Sequence, residues 1–192
     1  MIKHLPDNAS NTFIRLRNSL IMRIQREIKN HLDGKTAWIR LKLNSLLDEE
    51  IIAALYEAAD AGVKIEIIVR GICALQFSTQ AQLDNIKVRS ILGRFLEHSR
   101  IYYFKNDGAE EYYIGSADMM QRNLDRRVEA LVRIDAEKHK DRLRHILDDS
   151  VSENYSTWSL LDDNQWQRKA RDFEGNLLVN FQDYFVEKHN RA

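Results

Sequence analysis

Between Ala37 and Val69 the chain runs strand, helix and strand within 33 residues. A span that short points to one arrangement, two parallel strands joined by a crossover helix. Ala37, Ile39, Leu41 and Leu43 alternate with Trp38, Arg40, Lys42 and Asn44, the period-two pattern of a half-buried strand. Ser45-Leu46-Leu47-Asp48 supplies a helix start, with Ser45 or Asp48 as the cap. Ile51, Ile52, Leu55, Tyr56 and Ala59 give that helix one apolar face, and Gly62 ends it. Val63 to Val69 is nearly all apolar at Ile67-Ile68-Val69, as suits a strand covered on both faces.

The flanking segments extend this unit into a mixed sheet. Ser10 to Leu32 reads as a long helix with Leu20, Ile21, Ile24, Ile28 and Leu32 on one stripe and Gly34 just past its end. Residues 76–85 read as a polar loop, and Ile86 to Leu92 as a strand. Ser99 to Phe104 and Tyr112 to Gly115 flank Asn106-Asp107-Gly108, a hairpin signature. Val128 to Ile134 gives a further strand and Glu137 to Leu147 a further helix. Residues 153–170, with Trp158 and Trp166 around Asp162-Asp163-Asn164, suggest a peripheral hairpin. Leu177, Leu178, Phe181, Tyr184 and Phe185 form the apolar face of a last helix. The expected architecture is an α/β domain over residues 36–192, a mixed β-sheet flanked by helices. A long N-terminal helical arm, residues 1–35, packs on it.

Composition excludes several classes of function. Lys plus Arg and Asp plus Glu number 29 each, so no net field steers the chain toward nucleic acid or an anionic membrane, and any anion site must be local. No apolar run approaches the roughly 20 residues that span a bilayer. The opening Met1-Ile2-Lys3-His4-Leu5-Pro6 lacks the apolar core of a signal peptide. Cys73 is the single cysteine, which excludes an internal disulfide framework and suits a small buried apolar residue in a reducing cytoplasm. His31, His139 and His145 sit on helical segments without an i, i+4 histidine partner, so surface or capping roles fit them better than metal ligation.

Open α/β sheets bind ligands at the carboxyl ends of their strands. Arg70-Gly71 ends the strand 63–69 there, a guanidinium beside a residue that lets a ligand approach, although a surface arginine before a turn would look the same. Gly93-Arg94-Phe95-Leu96-Glu97-His98-Ser99-Arg100 places His98 at the start of the next strand. Residues i and i+2 of a strand share a face, so His98 and Arg100 can converge on one phosphate. The imidazole can attack phosphorus or protonate a leaving oxygen while the cation neutralises the equatorial oxygens. Between Lys64 and Arg133 the basic residues are eight Arg against three Lys. The planar guanidinium fork favours phosphate oxygens, though a solvated, salt-bridged turn over Asp118 to Glu129 also fits.

The pairing of His98-x-Arg100 with a downstream Gly115-Ser116-Ala117-Asp118 resembles the His-x-Lys and Gly-Ser-x-Asn elements of phospholipase-D-like enzymes. Arg100 stands for the usual Lys, Asp118 for the usual Asn, and Lys105 where that motif has its aspartate. Several further blocks, in order, resemble the C-terminal domain of polyphosphate kinases. They are Leu41-Lys42-Leu43-Asn44-Ser45-Leu46, Ile68-Val69-Arg70-Gly71-Ile72-Cys73, the run Arg89 to Tyr102, Tyr113 to Asp118, and Arg122 to Glu129. The likeness spans roughly residues 10–150 and is loose beyond. Ala74, Gln76-Phe77-Ser78, Met119 and Gln121 depart from the family's usual residues in loops around the site.

The resemblance implies a phospholipase-D-like fold and reversible transfer of the terminal phosphoryl group of ATP to inorganic polyphosphate, through a phosphohistidine and with Mg²⁺. It makes His98 the second active-site histidine, Arg70 a contact to phosphate beside the Arg100 read above, Arg127 a contact to phosphate or nucleotide, and Glu129 the carboxylate that orients His98. The phosphorylated histidine belongs to a preceding domain in a His-His-Pro-Tyr run, whereas the only proline here is Pro6, after Leu5. The resemblance therefore implies a fragment, inactive alone, with Mg²⁺ ligands outside it and the remaining portion of a homo-oligomeric enzyme as its partner. No nucleic-acid partner is expected. A cytoplasmic location is, with peripheral membrane association left open. Two other readings stand beside it: half of a phosphodiesterase or nuclease site completed by a dimer partner, and a non-catalytic polyanion-binding module.

Overall fold

The structure is a computed structural model that describes residues 9–190, with side chains from Leu16 onward except that of His189. The opening segment of the expected N-terminal arm, residues 1–8, lies outside the described residues. Helix α1 (Ala9–Leu32) leads into strand β1 (Trp38–Leu43), helix α2 (Glu49–Asp60) and strand β2 (Lys64–Val69). β1 and β2 pair in parallel from Trp38 opposite Lys64 to Leu43 opposite Val69, the arrangement the short crossover demands. Asp48, not Ser45, caps α2, its carboxylate accepting from the Ile51 backbone N–H at 3.2 Å.

Then come α3 (Gln80–Asn85), β3 (Ile86–Ser90), β4 (Ile101–Phe104), β5 (Glu111–Gly115), α4 (Gln121–Arg126) and β6 (Leu131–Ile134). The remaining elements are α5 (Glu137–Val151), β7 (Tyr155–Leu160), β8 (Trp166–Lys169), β9 (Val179–Asn180) and α6 (Phe181–Asn190). The main sheet has the order β6-β5-β4-β1-β2-β3-β7-β8, with β9 beside β7. It is mixed, as expected. β1, β2 and β3 run parallel, while β4 lies antiparallel against β1 and β7 antiparallel against β3. β4 and β5 form the hairpin, with Asn106 and Asp107 both at positive φ in its short 3₁₀ turn. The hairpin of β7 and β8 extends the sheet beyond β3.

Each face of the sheet buries its own apolar cluster. On one, Ile39, Leu41, Leu43, Ile65, Ile67, Tyr102 and Phe104 pack with Leu20 and Ile24 of α1 and Leu55 of α2. On the other, Ile68, Ile101, Tyr103 and Tyr112 pack with Leu147 of α5 and Phe181 of α6. Cys73 is half-buried against the first cluster, and burial pushes its thiol pKa up.

Four expectations are corrected. β1 is not half-buried: Arg40 and Lys42 are as enclosed as their apolar neighbours, because each is paired. Arg40 donates to Glu66 at 2.8 Å and to Asp148 of α5 at 2.6 Å, while Lys42 lies 3.1 Å from Glu97. Residues 76–85 are not all loop, since Thr79 caps the six-residue helix α3 through the Gln82 N–H. The strand expected to begin near His98 starts only at Ile101, and the one expected from Val128 starts at Leu131. Leu177 is 72% exposed and precedes α6 rather than lining it, and Leu32 likewise turns outward at the end of α1.

Candidate active site

The parallel strands β1 and β2 end at Leu43 and Val69, and the antiparallel β4 begins beside them at Ile101. β5 ends and β6 begins at the same edge, with Gly115 opposite Leu131. Five chain segments therefore deliver residues to one rim of the sheet: Asn44-Ser45, Arg70-Gly71, His98 to Arg100, Ser116 to Asp118, and Arg127 to Glu129.

Backbone hydrogen bonds fix the rim. The Ser45 carbonyl accepts from Met119 N–H at 3.2 Å, and the Met119 carbonyl accepts from Leu47 and Asp48 N–H at 2.7 and 2.9 Å. The buried Tyr102 hydroxyl donates to the Ala117 carbonyl at 2.5 Å. Gly71 packs so closely on β1 that a Cβ there would lie 2.8 Å from the Asn44 carbonyl oxygen, which its own N–H already reaches at 2.7 Å. Any larger residue would force β1 and β2 apart where they present Asn44 and Arg70.

Asp118 is the hub of the rim. Its Oδ1 accepts from the Asn44 and Ser45 N–H groups at 2.8 and 3.3 Å, and its Oδ2 from Arg100 Nη2 at 2.8 Å. Burial opposes its charge, but the Arg100 guanidinium and the backbone donors outweigh that and lower its pKa. Arg100 also donates to the His98 carbonyl at 3.1 Å. Arg70 Nε donates to Asn44 Oδ1 at 2.9 Å. Arg70 and Arg100 are thus brought together through Asn44 and Asp118.

Two donors at this node are enclosed without an acceptor, Arg100 Nε and Asn44 Nδ2. Asn44 is only 6% exposed and Arg100 16%. Buried N–H groups nearly always find an acceptor, and leaving one unmade costs about 1–3 kcal/mol. Two guanidinium ions and two unpartnered N–H donors gathered at one node suit a ligand made of acceptor oxygens.

The other sequence-derived candidates sit differently. His98 lies on the rim, exposed and outside any strand, so the shared strand face expected for His98 and Arg100 is replaced by the hydrogen bond from Arg100 to the His98 carbonyl. Its ring makes no hydrogen bond to another described residue. Glu129, 7% exposed, accepts from the Ser116 hydroxyl and lies 4.0 Å from Arg127 Nη1. It lines a cleft of about 290 Å³ with Leu20 and Arg23 of α1 and Tyr113, and no hydrogen bond joins it to His98. Arg127, at the end of α4, is 62% exposed. Sequence reasoning missed Asn44 as a node and Asp118 as the partner of Arg100. The strand-end rule that singled out Arg70 applies equally to the first residue after β1, and that signal was available. Among the described residues no three His, Cys, Asp or Glu side chains converge to hold a metal ion, and Asp118 and Glu129 are already engaged. The described residues therefore offer no preformed cage for a magnesium ion.

Residues 11–180 match the family model described as polyphosphate kinase C-terminal domain 2. A polyphosphate kinase of Streptomyces coelicolor is 46% identical over 176 residues, covering 92% of this chain and 24% of the relative. One from Mycolicibacterium gilvum is 50% identical over 173 residues, covering 90% and 23%. The crystal structure of polyphosphate kinase from Porphyromonas gingivalis superposes with a TM-score of 0.81 at 31% identity, over 93% of this chain and 28% of that one. The chain spans about a quarter of the length of the curated relatives it matches.

Proposed function

Since this chain belongs to the polyphosphate kinase family, as its C-terminal domain 2, we propose that its rim is one wall of a phosphoryl-transfer site. The reaction moves the terminal phosphoryl group of ATP reversibly to inorganic polyphosphate, through a phosphohistidine carried by the remainder of a longer, homo-oligomeric enzyme. The observation that supports this most is the Arg70–Asn44–Asp118–Arg100 node with its two unpartnered donors. Phosphate oxygens are acceptors only, and guanidinium forks match them in geometry and charge.

The residues of the chain divide the work. Arg70 and Arg100 hold phosphoryl oxygens, and as charge builds on them in transfer they stabilise it without reorganising, because Asn44 and Asp118 already fix them. The exposed Arg127 reaches outward for the nucleotide or the polyphosphate chain. His98, with its ring uncommitted, gives or takes a proton at the oxygen that leaves or attacks. Glu129 orients that imidazole once substrate draws the ring inward, since catalytic hydrogen bonds often tighten only in the loaded complex.

The test is His98→Ala in the full-length enzyme, followed by ATP-dependent polyphosphate synthesis. A loss of about 10²–10⁴-fold is the expected outcome for a missing acid–base group. Turnover at the wild-type rate overturns the proposal, as does polyphosphate synthesis by this chain alone with contaminating enzyme excluded. Hydrolysis of a phosphodiester in place of ATP turnover would select the nuclease reading.

A further inference from the structure

The segment from Ile91 to Arg100 belongs to no helix or strand, yet it carries His98. An exposed loop needs something to hold it if a side chain on it is to act at a fixed point. We infer that the start of α6 is a clamp on this loop and that Gln182 is the positioning residue for His98. The functional half of the inference rests on the proposed role of His98; the clamp itself rests on geometry alone.

Gln182 grips the backbone of one residue through two hydrogen bonds. Its Oε1 accepts from the Phe95 N–H at 2.7 Å and its Nε2 donates to the Phe95 carbonyl at 2.8 Å. Two residues earlier Asn180 Nδ2 donates to the Leu92 carbonyl at 3.0 Å, while its Oδ1 accepts from the Gln182 N–H at 2.9 Å. On the far side of Phe95, Glu97 is tied to Lys42 of β1, 3.1 Å away. The loop is therefore fixed at 92, 95 and 97, and His98 is the next residue. Glu97 lines the same cleft as Phe181 and Gln182 of α6.

The clamp is itself held in register. Val179 and Asn180 pair in parallel with Tyr155 and Ser156 of β7, and Phe181 is buried against Tyr155, Phe185 and the Lys42 ammonium. Gly93 supplies an independent sign. The Gln182 carboxamide occupies the space where a side chain at 93 would begin, and a Cβ there would also lie 2.9 Å from Gln182 Cγ. An alanine at 93 would push the amide aside.

Amide hydrogen exchange of the chain tests the clamp, and steady-state kinetics of the full-length enzyme tests its purpose. Gln182→Ala should speed exchange at Phe95 about tenfold, the worth of a typical hydrogen bond, with β1 and β2 amides unchanged. Gly93→Ala should do the same, and the double variant should add nothing further, since both remove one contact. Gln182→Glu keeps the acceptor for the Phe95 N–H but sets a carboxylate oxygen against the Phe95 carbonyl, so it should recover only part of the protection. In catalysis kcat should fall roughly 10- to 10²-fold, the effect of an ångström of misplacement, while KM for ATP stays nearly constant. Unchanged exchange at Phe95, or additive effects of the two variants, overturns the clamp. Faster exchange with a wild-type kcat, in an enzyme that His98→Ala inactivates, overturns the positioning role. If His98→Ala is itself without effect, the proposed function fails and the clamp stands on exchange alone.

Discussion

Asp118→Asn is nearly isosteric and separates charge from shape at the hub of the rim. The carboxylate accepts from two backbone N–H groups and from Arg100, and it is 6% exposed. Asparagine keeps one acceptor oxygen. Turned toward the Asn44 and Ser45 N–H groups, that oxygen leaves an NH₂ facing Arg100 Nη2, donor against donor. A hydrogen bond to a charged group contributes about 1.5–3 kcal/mol, and stranding one partner of a buried ion pair costs about 3–5 kcal/mol. Arg100 retains some exposure, which places the loss near 2–3 kcal/mol. In a domain of this size that corresponds to a melting temperature about 4–12 °C lower. The pH dependence carries the sharper test. Because the folded pKa of Asp118 is depressed, its contribution is fully present above the unfolded carboxylate value of about 3.9 and is lost as pH falls through the folded one. The gap between wild type and Asp118→Asn should be wide at pH 7 and close below pH 4. Chemical denaturation from pH 7 to pH 3 measures it. A difference below about 0.5 kcal/mol at pH 7, or one constant across the range, refutes the view that charge holds this hub.

Arg70→Ala should weaken ATP and polyphosphate binding by about 1.5–3 kcal/mol and flatten its salt dependence; calorimetry at rising salt that finds affinity unchanged would remove Arg70 from the site. Arg17, buried between Asp48 at 2.8 Å and Asp125 at 2.6 Å, ties α1 to the cap of α2, so Arg17→Ala should cost about 3–5 kcal/mol, read as a fall in urea midpoint. Glu129→Gln should lower turnover and shift its pH profile if the carboxylate serves His98, whereas a lower melting temperature with an unmoved profile would confine it to Ser116 and Arg127.

The β1–α2–β2 unit and the β4–β5 hairpin were legible because their signals are local: alternation, an Asp cap, and Asn-Asp-Gly in a turn. Residues 80–85 were not, because six residues with one buried glutamine show no apolar stripe. Arg40 and Lys42 misled for a different reason. Polar alternation normally marks a wet face, and here the counter-charges come from Glu66, Asp148 and Glu97, up to 108 positions away. The rim was half legible. Arg70 and His98 stood out by strand position and motif, and Asn44 carried the same strand-end signal unread, while Asp118 acquires meaning only when the ends of β1 and β5 meet across 74 residues of sequence. The grip of Gln182 on Phe95, across 87 residues, leaves no mark on either segment taken alone.

The insertion of β4 beside β1 has a consequence for how the molecule comes into being. β1 sits at the middle of the sheet, yet its neighbour on one side arrives some sixty residues later, after β2 and β3 have paired on the other. Until then the chain presents an open edge rich in Ile39, Leu41 and Leu43, the kind of unpaired, apolar border that recruits other strands and aggregates. A nascent chain stalled before Ile101 would carry that border uncovered. Selection on the 101–104 segment would then act on speed of closure as well as on final stability, and slow-pairing variants of Ile101-Tyr102-Tyr103-Phe104 should be lost to inclusion bodies before they are lost to unfolding.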